Sequence, residues 1–343
     1  MKVAIIGVTG YSGLELIRLL SQHPEVIIQS LHSQSMVHHK ISDIYPHLQN
    51  CCELMIKEIE PATIMEETDL VFLATPSGVS ATLAQPFIEA DFPLIDLSGD
   101  FRLKTEGSYE KWYGKEAAPI DSILKAEYGL GEERQNSQAN FIANPGCYAT
   151  GALLSLAPLV KAKMIQPDSI IIDGKSGLSG AGKVPSTSSH AVSVMGNMTV
   201  YKMNQHQHTP EILQQLQQWN ANIEAIQFTT SLIPVTRGIL LTIYAKVNEE
   251  LTEEALVELY TSYYREKAFV RVQPVGVYPD LKQVQGSNYC DIGLAYNSET
   301  RLITLVCTLD NLVKGAAGQA VQNLNIMCGF PEELGLINSP VFP

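Results

Sequence analysis

Cysteine and histidine are the side chains here best suited to covalent and acid–base work at neutral pH, and both occur in settings that invite it. Cys147 lies in the run Ala143-Asn144-Pro145-Gly146-Cys147-Tyr148-Ala149-Thr150-Gly151, and an apolar stretch follows from Ala152 to Val160. Pro145 and Gly146 read as a turn, and Tyr148 onward reads as helix. A thiol where a helix begins meets unpaired backbone N–H groups and the positive end of the helix dipole, both of which favour the thiolate. Such a thiolate is a nucleophile, and the same N–H groups can hold an oxyanion. The same stretch also fits an inert cysteine buried in a turn, since free cysteine is among the most buried residue types. A partner for a nucleophile stands in Tyr201-Lys202-Met203-Asn204-Gln205-His206-Gln207-His208-Thr209-Pro210-Glu211-Ile212. Thr209 suits an N-cap and Pro210 a first helical position, which puts His206 and His208 just ahead of a helix. As a metal pair they lack a supporting Cys or carboxylate, so no metal site is expected. As acid/base partner of Cys147, one of them makes chemical sense.

The elements that must position these groups begin at the first residues. Lys2 to Ile6 is a buried-type strand that runs into Gly7-Val8-Thr9-Gly10-Tyr11-Ser12-Gly13, after which Leu14, Leu16, Ile17, Leu19 and Leu20 form a helical apolar face. Strand, glycine turn and helix open a dinucleotide-binding βαβ unit, in which the turn lets a pyrophosphate approach the backbone and the helix start offers N–H groups. The spacing is G-x-x-G-x-x-G rather than G-x-G-x-x-G. The second strand, 26–31, ends in His32-Ser33-Gln34-Ser35 with His38, His39 and Lys40 nearby and no carboxylate. An acidic residue there would favour NAD. Its absence favours NADP, with Ser33 and Ser35 donating to the phosphate and Lys40 adding charge, unless the segment is simply a solvated loop. Two further buried strands, 69–76 ending in a turn and 94–98, lead into Thr75-Pro76-Ser77 and Ser98-Gly99-Asp100-Phe101-Arg102. Ligands of open α/β sheets bind beyond such strand ends. Arg102 can clamp a phosphate or carboxylate there, or equally pair with Asp100 or Asp96.

The chain changes character after Cys147. Strands are expected over 170–173, 229–235, 239–247, 269–272, 290–295 and 302–309, several with the alternation of a largely antiparallel sheet. An amphipathic helix over 252–267 is capped by Thr252. This is a second, α+β domain. Gly174 through Lys183 is rich in glycine and serine, suited to anion or nicotinamide contact, with a flexible linker as the alternative. The tail from Asp310 to Leu324 reads as one helix of small residues.

Bulk properties narrow the classes. A length of 343 residues implies about two domains, and 45% hydrophobic with 17% charged residues is ordinary for a soluble enzyme. A net charge of −13 argues against nucleic acid as a partner. The six cysteines show no Cys-x-x-Cys spacing, so no disulfide framework is implied. With the first strand starting at residue 2 and no membrane-length apolar run, a cytoplasmic protein is expected.

Taken together, these segments resemble the N-acetyl-gamma-glutamyl-phosphate reductase family of the semialdehyde dehydrogenase superfamily. The resemblance rests on the glycine turn at 7–13, Asp96 to Arg102, Asn144-Pro145-Gly146-Cys147-Tyr148, 176–183, His206 to Ile212 and 310–322. Gly99 stands where the family usually has alanine, and Gln207 where it often has arginine. The resemblance implies NADPH-dependent reduction of an acyl phosphate to an aldehyde through a cysteine thioester, in arginine biosynthesis. It implies a Rossmann-type domain over 1–146 and 312–343, a catalytic and oligomerisation domain over 147–311, and a homo-oligomer, dimer or tetramer. Cys147 is then the nucleophile and His206 the acid/base group, ahead of His208. Thr9, Gly10, Tyr11, Ser12, Gly13, Ser33, Thr75, Pro76, Ser176, Gly177 and Asn311 fall to the cofactor. Ser98, Arg102, Asn144, Ser179, His208 and Arg237 fall to the substrate. Competing expectations are the sister enzyme aspartate-semialdehyde dehydrogenase and a non-catalytic NADP-binding sensor.

Overall fold

The computed structural model describes residues 1–134 and 138–342. The chain forms two compact units, Met1–Gly146 with Ala316–Ile337, and Cys147–Gly315 with Asn338–Pro343. The return to the first unit thus starts at Ala316 rather than at 312. The reason is local: Asp310 and Asn311 are bonded to Arg237 and Gly238, deep within the second unit. The last residues also belong there, through Val341 N–H to the Gln285 carbonyl at 2.8 Å.

In the first unit, β1 (Lys2–Ile6), β2 (Ile27–His32), β3 (Ile56–Lys57), β4 (Leu70–Leu73), β5 (Leu94–Asp96), β6 (Glu127–Tyr128) and β7 (Phe141–Ala143) make one sheet in the order β3-β2-β1-β4-β5-β7-β6. Every pairing in it is parallel. Residues 3–6 and 70–73 are buried, as their unbroken apolar runs require of strands covered on both faces. Strand order reverses between β1 and β4, so the ligand crevice of this sheet lies beyond their carboxyl ends. The glycine turn and Thr75 are therefore at its mouth. The following helix, Tyr11–Leu20, starts inside the turn and buries Leu16, Ile17, Leu19 and Leu20.

The tail is not the single helix expected. A π-helical turn, Val313–Ala317, precedes an α-helix at Gly318–Cys328. The latter carries fully buried Gln319, Gln322, Asn323 and Asn325.

In the second unit, β8 (Ile171–Ser176), β9 (Thr199–Tyr201), β10 (Gln227–Leu232), β11 (Ile239–Lys246), β12 (Val270–Val272), β13 (Cys290–Asn297) and β14 (Leu302–Leu309) form a mixed sheet, β12-β13-β14-β11-β8-β10-β9. Its pairings are antiparallel except β8 with β10 and β12 with β13. The helix Cys147–Lys161 is buried from Tyr148 to Val160, which explains why that run is apolar all round. It packs closely on the sheet: a Cβ on Gly151 would lie 2.9 Å from Leu241 and 3.1 Å from Leu309. The helix His208–Trp219 packs on this helix in turn.

Three expectations are corrected here. Edge strand β9 is absent from the expected strands; three residues carry too little pattern. The histidine-loop helix begins at His208, not after a Thr209 cap, because Thr209 N–H already bonds the His206 carbonyl at 2.9 Å. Gly174 to Ser176 continue β8 instead of opening a flexible loop. Gly174 is required there because a Cβ would lie 2.7 Å from the Tyr148 ring. Gly174→Ala is accordingly expected to destabilise the protein by about 1–3 kcal/mol in urea unfolding, the cost of forcing atoms into a filled core.

Candidate active site

The first unit builds a nucleotide cradle. Gly7 has φ +94°, and a Cβ there would lie 2.4 Å from the Ala74 carbonyl oxygen, so the turn runs directly beneath the end of β4. A Cβ on Gly13 would lie 2.4 Å from the Gly7 carbonyl oxygen. Gly10 caps the helix with no side-chain acceptor, which leaves the first-turn N–H direction open to a phosphate. Ser33 Oγ sits 3.4 Å from Thr9 Oγ1 and accepts the Ser35 N–H at 3.2 Å. These hydroxyls gather where an NAD enzyme would place its ribose carboxylate. The residues present thus fit a dinucleotide. Lys40 Nζ is 3.6 Å from a Glu53 carboxylate oxygen, so its charge is partly answered within the chain.

The strand-end loops of this unit are tied together through Asp100. Its carboxylate accepts the Gly78 N–H at 2.7 Å, the Ala81 N–H at 2.9 Å and the Tyr109 hydroxyl at 2.7 Å. Thr75 Oγ1 meets Ser80 Oγ at 2.8 Å. Ser98 Oγ donates to Asp96 at 2.7 Å and accepts the Asp100 N–H at 3.1 Å. Burial pushes the Asp96 carboxyl up to about 6 against the pull of the Ser98 and Ser80 hydrogen bonds. Arg102 is buried, with Nε donating to the Asn144 carbonyl at 2.8 Å and Nη2 to the Leu97 carbonyl at 2.9 Å. Asn144 is wholly buried; its Nδ2 donates to the Ala316 carbonyl at 3.0 Å and its Oδ1 accepts from Asn323 at 3.1 Å. Both residues, expected at the substrate, are engaged in holding the backbone that leads to Cys147. The glycine at 99 also has a cause: a Cβ would lie 2.0 Å from the Tyr113 hydroxyl oxygen, and Tyr113 stacks on Tyr109 at 4.5 Å.

In the second unit Cys147 is half-buried at the first residue of its helix. Gly315 leaves it room, since a Cβ there would approach the Cys147 Cβ to 2.7 Å. The next residue, Tyr148, is buried and packs its ring against His206 at 5.4 Å, His208 at 6.0 Å and Phe228 at 5.5 Å. Its hydroxyl donates to the Ser231 carbonyl at 3.4 Å and receives the Tyr201 hydroxyl at 3.3 Å. Burial holds both phenols protonated, Tyr201 at about 12 and Tyr148 higher still. The two histidine rings are 4.7 Å apart. His206 Nδ1 accepts the His208 backbone N–H at 3.1 Å, which puts the proton of a neutral His206 on Nε2. Burial, then the charges of His208 and Lys202, lower His206 to about 2, so the ring is neutral near pH 7.

The remaining expected residues of this unit also come together. The 176–179 segment is zipped to the 233–238 loop by Gly177 N–H to Gly238, Leu178 N–H to Val235 and Ser179 N–H to Thr236. Asn311 stitches the same two segments, its Oδ1 accepting the Gly238 N–H at 2.7 Å and its Nδ2 donating to Ser179 Oγ at 2.9 Å. Ser176 donates to the Gly177 carbonyl at 2.9 Å. Arg237 is held by Asp310, a residue that composition and spacing do not single out. Among the described residues no cluster of His, Cys, Asp or Glu can hold a metal ion, and no helix is long and apolar enough to cross a membrane.

Parallel crossover sheet, glycine cradle, helix-start cysteine and two-histidine loop define a nicotinamide-dependent dehydrogenase of the semialdehyde dehydrogenase class. Family models agree: residues 2–140 match the semialdehyde dehydrogenase NAD binding domain and residues 147–311 the semialdehyde dehydrogenase dimerisation domain. Curated N-acetyl-gamma-glutamyl-phosphate reductases from Listeria monocytogenes serotype 4b (strain CLIP80459) and Bacillus mycoides are 59% and 52% identical, each over all of both chains. With identity of that level end to end, the chain belongs to the N-acetyl-gamma-glutamyl-phosphate reductase family. It is therefore an oxidoreductase. Among solved structures, aspartate semialdehyde dehydrogenase II of Vibrio cholerae, in complex with ASA, has a TM-score of 0.74 at 17% identity, covering 96% of this chain and 98% of that one. The Candida albicans aspartate semialdehyde dehydrogenase with NADP has a TM-score of 0.67 at 19% identity, covering 95% and 98%. At such identities these two show the fold alone.

The depressed His206 has a stability consequence. A histidine held near 2 in the folded chain and near 6.5 in the unfolded one stabilises the fold fully above 6.5 and progressively less as pH falls. By about pH 4.5 the loss reaches roughly 3 kcal/mol. His206→Asn is expected to flatten this part of the stability–pH curve, measured by urea unfolding between about pH 7 and pH 4.5.

Proposed function

We propose that the chain reduces N-acetyl-gamma-glutamyl phosphate to N-acetylglutamate 5-semialdehyde, releasing inorganic phosphate, with NADPH as reductant and Cys147 as carrier of the acyl group. The observation that carries this reading is the seating of Cys147: it opens a buried helix while its neighbour Tyr148 packs directly on His206. Full-length identity to reductases of that name supports the substrate. Arginine biosynthesis, a cytoplasmic site and a homo-oligomer, dimer or tetramer, accompany the reading; the dimerisation-domain match supports the last.

The chain's own groups suffice for the steps around the thiol. The helix start favours the Cys147 thiolate through its N–H groups and dipole. Sγ attacks the acyl carbon, the tetrahedral oxyanion re-forms the carbonyl, the C–O bond to phosphate breaks, and a thioester remains. His206, neutral with its proton on Nε2, donates a hydrogen bond to the oxyanion as it develops, worth about 10²–10⁴-fold. NADPH, when bound on the glycine turn and the Thr9–Ser33–Ser35 hydroxyls, supplies the hydride that takes the thioester to the aldehyde level. Collapse of the resulting hemithioacetal breaks the C–S bond and returns the thiolate. Arg237, with Ser179 and His208, is placed at the substrate in this reading, and Ser176, Gly177 and Asn311 at the cofactor.

Run backwards, the reaction is a phosphate-dependent reduction of NADP⁺ by N-acetylglutamate semialdehyde. We expect that activity from the native chain and none from Cys147→Ala; full activity of the variant overturns the thioester. Aspartate semialdehyde as the preferred substrate would replace the family assignment of substrate with that of the sister enzyme. For the cofactor, Ser33→Asp restores a carboxylate at the ribose and is expected to raise the KM for NADP⁺ about tenfold or more while leaving that for NAD⁺ little changed. An NADH preference in the native chain would refute the reading of the hydroxyl cluster.

A further inference from the structure

Arg237 lies on the 233–238 loop, whose backbone is already fixed on both sides. Gly177 N–H bonds the Gly238 carbonyl, Ser179 N–H bonds the Thr236 carbonyl, and Asn311 accepts the Gly238 N–H. What these contacts leave undetermined is the direction of a long, flexible side chain. Asp310 holds it along one edge. Its carboxylate takes Arg237 Nε at 3.0 Å and Nη2 at 3.1 Å, so two donors on one edge of the guanidinium set its plane. The same carboxylate accepts the backbone N–H groups of Gly286 at 2.7 Å, Leu312 at 2.9 Å and Val313 at 3.3 Å. Asp310 is wholly buried, whereas the Arg237 side chain keeps about a fifth of its surface exposed. Three backbone dipoles therefore share the anion with Arg237, and the guanidinium is not its only counter-charge.

A buried ion pair is a poor source of net stability, because an apolar pair of the same size does at least as well; its best use is to fix a geometry. A partly exposed cation backed by a buried, multiply bonded carboxylate is such a geometry. We propose that Asp310 is a positioning residue, which presents Arg237 to an anionic oxygen pair of the substrate. The inference rests on the reading above that Arg237 binds substrate. The anion is either the phosphate or the substrate's carboxylate, which share the two-oxygen face that a guanidinium fork recognises.

The oxidative assay separates these sources, since inorganic phosphate and N-acetylglutamate semialdehyde are then distinct substrates with their own KM. Asp310→Asn is expected to raise one of those two KM values about tenfold, with the KM for NADP⁺ moving less than twofold. A rise for phosphate assigns Arg237 to the phosphate, and a rise for the semialdehyde assigns it to the carboxylate. Arg237→Lys keeps the charge but not the fork, and should raise the same KM by a similar factor. In the Asp310→Asn, Arg237→Lys double variant the two effects should not multiply, because they remove one interaction. Multiplied effects, or equal rises in all three KM values, would mark Asp310 as merely structural and overturn the proposal. Should Asp310→Asn fail to fold, Arg237→Lys decides alone: an unchanged KM overturns the proposal. Arg237→Ala tests the underlying reading separately. If alanine raises a substrate KM while lysine and Asp310→Asn do not, Arg237 binds substrate without Asp310. If alanine changes neither KM, the reading of Arg237 itself falls, and the proposal with it.

Discussion

The second unit depends on one side chain, the ring of Tyr148. Covalent geometry places it beside Cys147, and packing places it against His206, His208 and Phe228 within 6.0 Å. A short stretch of helix is thereby fixed to a loop far along the chain. Several otherwise unexplained residues answer to this contact. Gly174 is a glycine within a strand because the ring lies over it, and Tyr201 turns its hydroxyl toward the Tyr148 hydroxyl at 3.3 Å. An aromatic ring is well suited to such a contact, because two side-chain torsions fix it and edge-to-face packing holds neighbouring rings at defined angles. Here the Tyr148 and His206 planes meet at 90°.

The state of His206 divides labour in a way its residue type does not announce. With Nδ1 accepting the His208 N–H, the neutral ring carries its proton on Nε2 and acts as a donor. A thiolate made by a histidine would leave an imidazolium, which this burial strongly disfavours. In the proposed reaction the Cys147 proton therefore passes to solvent, and the dipole and N–H groups of the helix start favour the thiolate that remains. In the proposed reaction this leaves His206 to the oxyanion, which would call on a hydrogen-bond donor twice, once in acylation and once at the hemithioacetal.

What can be read from the chain follows what is local. Lys2 to Gly13 announces strand, turn and helix within a dozen residues, and the apolar-rich run 302–309 has the bounds of β14. Cys147 at a helix start follows from Pro145 and Gly146 alone. The roles of Arg102 and Asn144 do not follow, because their partners, the Leu97 and Ala316 carbonyls and Asn323, are backbone groups or an amide that no spacing singles out. Asp310 is hidden for a similar reason. It stands 73 residues from Arg237 and looks like the cap of a tail helix, a role its bonds to Leu312 and Val313 N–H in part fulfil. His206 stands out by type, but its tautomer depends on a backbone N–H that becomes visible only when the helix is seen to start at His208.

The polar face of the Gly318–Cys328 helix shows why the chain returns to the first unit after Gly315. Buried amides are costly unless satisfied, yet Gln319, Gln322 and Asn323 are all fully buried. Gln319 and Asn323 both donate to the Gly129 carbonyl, at 3.2 and 2.7 Å, and Gln322 donates to Glu132 at 3.1 Å. Asn323 also donates to Asn144 and accepts from Arg134 at 3.1 Å. Apolar side chains would fill this space at less risk, but they could not fix Asn144 by direction. Asn144 is the last fixed point of the first unit before the turn, and Tyr148 is an early one of the second. Only Pro145, Gly146 and Cys147 lie between them. Pro145 limits its own φ, so the turn that leads to Cys147 is restricted by its own covalent geometry as well as by the anchoring of Asn144 before it.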